Sequence, residues 1–411
     1  MIHLLAINEF FHPDVCASSA VWTDHLPRIA RLRPDWRFTV LTGNRAWDRP
    51  DVVHPERARF DGVDIIRVPR PAVGRGLLRR GVGFAAFHLG ALRAGWRLPR
   101  PDVIVATTAP PLGGPLGVLL ARRFRCPLIY KVYDLYPDCA TALGVLRPGG
   151  GLADLWAALD TAAMRRSAAV VAISRGTANR IARQRNIEPQ QIQLIRDGFD
   201  RERVRPVPHR ENAFRRQQGL EGKFVVQFAG NMGRSHPLET ILDAARGLRG
   251  DERMVFQFIG VGPGRSVVES ARRELGSRVQ LLPYQPAERL SDVLSAADAA
   301  LISQADGVAE ASLPYKFYSI LAAGRPVVYV GPQSSEIVAY INDFRCGVHV
   351  AQSDAAGLAD ALSRLANDET KRSNMGARAR ALFENEFTSD RAVRDWIALI
   401  ERVVQKSVPR T

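Results

Sequence analysis

Phe224-Val-Val-Gln-Phe-Ala-Gly-Asn-Met-Gly-Arg234 is an apolar run of strand length that breaks into two glycines. Val255-Phe-Gln-Phe-Ile-Gly-Val-Gly-Pro-Gly264 repeats the arrangement about thirty residues on. Backbone without a Cβ after a buried strand lets main-chain amides approach a phosphate closely. Further runs follow at 279–282, 299–302, 327–330 and 347–350, with helical patterns between them. Continuous Val/Ile/Leu strands separated by helices predict a parallel sheet covered on both faces.

Working back toward Met1, the same rhythm appears at 2–7, 38–42, 63–67, 103–107, 128–133, 170–173 and 192–195. Two series predict two doubly wound, Rossmann-like halves of an α/β chain. The charged, proline-bearing stretch 197–222 separates them. The expected domains are 1–200 and 201–388, and 389–411 is a closing helix whose Val393, Trp396, Ile397 and Ile400 recur at helical spacing. Ligands bind at the carboxyl ends of strands in such sheets, and the cleft between the halves is where a site is expected.

Composition sets the outer limits. The 411 residues are 46% hydrophobic and 24% charged, as in a globular protein. Lys and Arg total 57 against 42 Asp and Glu, which favours acidic partners. Only Lys131, Lys223, Lys316, Lys371 and Lys406 are lysines. Cys16, Cys126, Cys139 and Cys346 have no metal-ligand spacing and fit free thiols in a reducing cytoplasm. The opening residues read as a strand rather than a leader, and no uncharged run reaches spanning length. The expected location is the cytoplasm, peripheral on the inner face of the plasma membrane.

Ser312-Leu-Pro-Tyr-Lys-Phe-Tyr-Ser-Ile-Leu-Ala-Ala-Gly-Arg-Pro326 reads as a helix opened by Pro314 and closed by Gly324 and Pro326. Either it is an ordinary amphipathic helix, or its first amides, with Lys316 one turn in, seat a diphosphate. Arg234 is either a solvated cation or a partner of a pyrophosphate leaving group. Asp134 and Asp138 flank a Tyr-Pro turn after a strand, where a carboxylate would orient or deprotonate an acceptor hydroxyl, or cap a helix.

These pieces, together with Phe11-His-Pro-Asp14, Ile173-Ser-Arg175, Leu282-Pro-Tyr-Gln-Pro286 and Ala296-Ala-Asp298, resemble the retaining glycosyltransferases of sequence family 4 over nearly the whole chain. The nearest likeness is to the bacterial colanic-acid and O-antigen subgroup with fucosamine-type transferases. The resemblance implies a GT-B fold, two Rossmann-like domains facing across a cleft, and metal-independent transfer of a hexosyl or N-acetylhexosaminyl group with retention. It implies no cofactor, only a nucleotide-sugar substrate, UDP type expected. The donor site implied is Gly230, Asn231, Gly233, Arg234, Gly260, Gly262, Tyr284, Ser312, Leu313, Lys316 and Ser319. Where the family has two glutamates this chain has Ala311 and Ser319, with Glu310 one residue early. Glu310 is then expected at the donor sugar, and Ser319 at the ribose. Asp134, Glu310 and Arg234 form the expected catalytic set.

From Ile65 to Pro101 there are arginines and no acidic residue. With the apolar series ending at Trp96, this reads as a membrane-surface element, or as a helix buried on the first sheet with arginines outward. The expected acceptor is an undecaprenyl-diphosphate-linked saccharide at an anionic membrane surface, met by His12, Ser18, Asp138, Arg79, Arg80 and Trp96. Three other readings stand: a nucleotide-sugar 2-epimerase on the same architecture, a non-enzymatic basic protein that binds membranes or nucleic acid, and a catalytically inactive relative, to which the missing glutamates point. No recognised nucleic-acid module with interleaved aromatics is present, so nucleic acid is not an expected partner.

Overall fold

The computed structural model describes residues 1–14, 16–71 and 77–407, with backbone alone at 77–80. The chain divides into two compact units, Met1–Asp197 with Ser389–Thr411, and Gly198–Thr388.

Unit 1 carries strands β1 (His3–Ile7), β2 (Arg37–Gly43), β3 (Arg57–Phe60), β4 (Val63–Val68), β5 (Val103–Thr107), β6 (Leu128–Val132), β7 (Ala169–Ala172) and β8 (Ile192–Leu194). Its helices are α1 (Ala17–Leu32), α2 (Leu77–Trp96), α3 (Gly113–Phe124), α4 (Asp138–Ala142), α5 (Gly151–Arg166) and α6 (Arg175–Arg185). The strands lie in the order β3-β4-β2-β1-β5-β6-β7-β8. The described pairings are parallel except β3 with β4. β5 reads Val-Ile-Val-Ala-Thr and every residue of it is buried, as a central parallel strand requires. β3, Arg-Ala-Arg-Phe, is the element that periodicity did not foresee. It is a short, charged edge strand, and it alternates exposed with half-buried residues.

Right-handed crossovers put α1 on one face of this sheet and α2, α3 and α5 on the other. α3 packs against α2 on one side and α5 on the other.

Unit 2 carries β9 (Phe224–Ala229), β10 (Met254–Ile259), β11 (Val279–Leu282), β12 (Ala299–Ser303), β13 (Val327–Val330) and β14 (Gly347–Val350). Its helices are α7 (Ala213–Gln217), α8 (Glu239–Gly247), α9 (Arg265–Leu275), α10 (Leu290–Ser295), α11 (Lys316–Ala322), α12 (Glu336–Phe344), α13 (Ala355–Asn367) and α14 (Glu369–Glu386). The sheet is parallel in the order β11-β10-β9-β12-β13-β14, the doubly wound order. Ser335, Asp354 and Asp368 cap α12, α13 and α14 through their side-chain oxygens. Val226, Phe228, Phe256, Phe258, Leu301 and Leu358 belong to the apolar core under these helices.

The last helix, α15 (Ser389–Ser407), belongs to unit 1. It lies on α1, with the Trp396 and Trp22 rings 5.1 Å apart. Beneath them, Lys131 is fully buried and bonded to Asp197 at 2.5 Å. The rings of Tyr133, Trp22 and Trp396 stand 4.5, 4.9 and 5.4 Å from its ammonium. Burial pushes the lysine's pKa down and Asp197 opposes it. All four cysteines are free: Cys139 and Cys346 are buried, Cys16 and Cys126 half-buried. Among the described residues, no helix is long and apolar enough to cross a membrane.

Candidate functional site

In unit 2 the chain leaves β9 toward β10 on one side, while β12 lies on the other. The crevice at the carboxyl ends of β9 and β12 is therefore the topological switch point, where open α/β sheets bind ligands. Gly230 follows β9 and Gln304 follows β12. The N–H of Gly230 donates to the Ile259 carbonyl at 2.8 Å, and that of Gly260 to the Leu282 carbonyl at 3.0 Å. This carries the sheet pattern into the loops. A Cβ on Gly260 would lie 2.1 Å from the Gly230 oxygen, and one on Gly262 would lie 2.6 Å from Asn231 Oδ1. With φ of +138° and +130°, both positions demand glycine on two counts.

Lys316 enters this crevice from the first residue of α11. Its ammonium sits 3.6 Å from the Phe228 ring centroid. A Cβ on Gly230 would meet its Cε at 3.3 Å and its Nζ at 3.5 Å. The side chain as a whole is partly exposed, yet Nζ is hidden from solvent and has no hydrogen-bond partner. Burial alone pushes its pKa down to about 7. His236 adds no counter-charge: its Nδ1 donates to the Ser303 carbonyl at 2.6 Å. Burial, then the Lys316 charge, push its pKa down to about 3. A buried cation without an anion is a costly arrangement, and an incoming phosphate would relieve it.

α11 has only seven residues, and Lys316 is its first rather than one turn in. The amides of Phe317 and Tyr318 donate to the Pro314 and Tyr315 carbonyls at 2.9 and 3.2 Å. Proline starts a tight turn that uses these two donors, and the Lys316 cation lies beside it. Ser319 Oγ donates to the Lys316 carbonyl at 3.0 Å. Tyr284 lies beside Gly260. Ser312 lends its carbonyl to Gln304 at 2.9 Å, and Leu313 is buried. Arg234, Asn231 and Glu310 are exposed. Arg234 has no ion pair among the described residues.

In unit 1 the corresponding switch point lies between β1 and β5. Thr107 Oγ1 donates to Asn8 Oδ1 at 2.7 Å, and the Glu9 amide to the Ala109 carbonyl at 2.7 Å. Glu9 was not foreseen. It is buried and bonded to Arg70 at 2.6 Å, with the guanidinium 4.6 Å over Phe10. Burial raises its pKa against the pull of Arg70. A charged pair assembled from positions 61 apart leaves no local sequence signal.

Beside it, Thr108 Oγ1 accepts the amides of Tyr133 and Asp134 at 3.0 and 3.3 Å and fixes the half-buried Asp134. His12 stacks on Phe60 with centroids 3.8 Å apart, and burial lowers its pKa. The Ser18 hydroxyl stands 3.8 Å from Cys16 Sγ. Asp138 pairs with Arg180 at 3.1 Å and with Arg185, so its carboxylate is engaged within the unit. Trp96 is exposed beneath Arg123, 5.5 Å from its ring centroid. The side chains of Arg79 and Arg80 lie outside the described residues.

Residues 28–198 match the model of the glycosyl transferase 4-like domain, and 210–382 that of the glycosyl transferases group 1. The chain is similar to the probable glycosyltransferase WbjE of Pseudomonas aeruginosa, 24% identical over 99% of this chain and 100% of the relative. It is 28% identical to the putative colanic acid biosynthesis glycosyl transferase WcaI of Escherichia coli (strain K12), over 61% of this chain and 64% of the relative. Among solved structures, sucrose-phosphate synthase from Thermosynechococcus elongatus superposes with a TM-score of 0.76, at 16% identity, over 99% and 100% of the two chains. Anabaena HepE in complex with UDP-glucose gives 0.72, at 15% identity, over 98% and 100%.

Proposed function

The chain is a glycosyltransferase with the GT-B fold, and on that premise we propose that unit 2 takes a nucleotide-diphosphate sugar and unit 1 a lipid-linked saccharide acceptor. The observation that carries the donor half is the buried, unpartnered Lys316 ammonium at the β9–β12 switch point. A diphosphate there would restore the lysine's charge, and the lysine would stabilise the negative charge that develops on the departing nucleoside diphosphate. The exposed Arg234 would add a second cation, and Tyr284 beside Gly260 would meet the base. Ser319 is the candidate ribose contact: its hydroxyl donates within the helix and keeps its acceptor capacity. Glu310, exposed, is assigned to the donor sugar.

In unit 1 Asp134 orients or deprotonates the acceptor hydroxyl. The acceptor class is supported by the likeness to WcaI, whose name places it in colanic acid biosynthesis, and by the acid-free basic stretch from Ile65 to Pro101. The reaction proposed is metal-independent transfer of a hexosyl or N-acetylhexosaminyl group with retention, from a UDP-type donor to an undecaprenyl-diphosphate-linked saccharide. Its place would be the inner face of the plasma membrane. Thermal-shift screening against UDP, GDP, dTDP and ADP sugars tests the donor reading: stabilisation by one nucleotide class, lost in Lys316→Met, is expected. No response to any of them would refute it.

A further inference from the structure

The face of unit 1 formed by α2, α3 and α5 leaves large apolar side chains in water. Val82 and Leu89 of α2, Leu119 of α3, and Leu152, Leu155 and Leu159 of α5 are 43–68% exposed. Val82, Leu89 and Trp96 recur every seven residues, and the α5 leucines at spacings of three and four, so each helix turns one stripe outward. α3 packs against both α2 and α5, so the stripes lie on one face of the unit with Leu119 of α3 between the two helices. Six large apolar side chains exposed on one face exceed the scattered single residues of an ordinary soluble surface.

Charge selects the occupant. The three helices end on exposed arginine pairs: Arg93 and Arg97, Arg122 and Arg123, Arg165 and Arg166. Asp154 is the exposed carboxylate on them, and Asp160 is buried with an oxygen 2.5 Å from the Tyr130 hydroxyl. A second copy of the chain would bring arginine against arginine across the same face. A leaflet of anionic lipid offers apolar depth and opposite charge together.

We infer that α2, α3 and α5 form a single docking face for an anionic lipid surface, and that α5 couples this face to the acceptor loop. Trp156, between Leu155 and Leu159, turns inward and stacks on Tyr136 with centroids 5.3 Å apart and planes 14° from parallel. Tyr136 stands two residues after Asp134. The helix that presents leucines to lipid thus also supports the loop assigned to the acceptor hydroxyl. This rests on the lipid-linked acceptor proposed above, and it extends the membrane element from the basic α2 segment to three helices.

The test is co-sedimentation with phosphatidylcholine vesicles, with and without phosphatidylglycerol, for the wild type and for the triple variant Leu152→Ser/Leu155→Ser/Leu159→Ser. The wild type is expected to partition onto the phosphatidylglycerol vesicles. The triple variant should lose that partition about tenfold or more, with its thermal midpoint and its nucleotide-sugar response unchanged. Equal partition of variant and wild type would overturn the proposal. So would a wild-type dimer in light scattering that the triple variant dissolves. The nucleotide-sugar response reads the donor assignment separately, so its failure is distinguishable from failure of the docking face.

Discussion

The ammonium of Lys316 stands 3.6 Å above the Phe228 ring, with burial as the cause of its depressed pKa and no hydrogen bond to offset it. A lysine of ordinary pKa in the unfolded chain and about 7 in the fold binds fewer protons when folded. Its penalty is fully present below pH 7 and is relieved as pH rises toward the ordinary lysine range. Lys316→Met should therefore stabilise the protein near pH 6, by on the order of a few kcal/mol. The same variant should weaken nucleotide-sugar binding by about tenfold to a hundredfold, the worth of a charged hydrogen bond. Chemical denaturation and calorimetry read the two effects. A variant less stable than the wild type with unaltered binding contradicts the assignment.

Binding should carry a proton signature. A diphosphate prefers the charged lysine, so affinity for a nucleotide sugar should be level below pH 7 and fall about tenfold per unit above it. His236, with a pKa pushed down to about 3, stays neutral across this range. Titrations near pH 8.5 in buffers of different ionisation enthalpy should show uptake of about one proton. Absence of uptake would mean that the phosphate does not reach Lys316.

Gly260, after β10, and Gly276, which closes α9, make a paired comparison. Gly260→Ala drives a methyl to 2.1 Å from the Gly230 oxygen, whereas at Gly276 the same methyl meets nothing within 4 Å. The first substitution should cost about 2–4 kcal/mol and reduce nucleotide binding, the second about 1 kcal/mol without touching it. Equal costs in urea denaturation would show that the loop contact does not govern the crevice.

Asp197→Asn tests the buried pair in unit 1. With Lys131 wholly enclosed and bonded at 2.5 Å, removal of the carboxylate charge should destabilise unit 1 by about 3–5 kcal/mol. A change within a few tenths, measured by denaturant midpoint, would show that the aromatic rings around the ammonium suffice alone.

Asp134→Asn should lower kcat about a hundredfold or more and leave donor binding as it was. Single-turnover transfer with nucleotide-sugar binding measured alongside separates the two. A variant as active as the wild type would remove Asp134 from the chemistry.

Much of the architecture was legible because buried parallel strands are written as short unbroken apolar runs between turn residues, as at Val103 to Thr107 and Val327 to Val330. β3 was not, since an edge strand answers to its neighbour and to solvent, and Arg57 to Phe60 show no buried face. Gly230, Gly260 and Lys316 were legible as residue types at strand ends. The solitude of the lysine was not, because it depends on what fails to face it: His236 is turned to a carbonyl and the Phe317 amide is used. Glu9 with Arg70, and Asp138 with Arg180 and Arg185, join distant positions, and only packing declares such pairs.

The last helix has a consequence for biosynthesis. Val393, Trp396 and Ile400 of α15 complete the core that Trp22, Leu26 and Ile29 of α1 begin. A ribosome releases the residues of unit 1 in two instalments, with all of unit 2 between them. The early instalment therefore waits with the indole of Trp22 uncovered until α15 emerges, an apolar surface open to other chains for that interval.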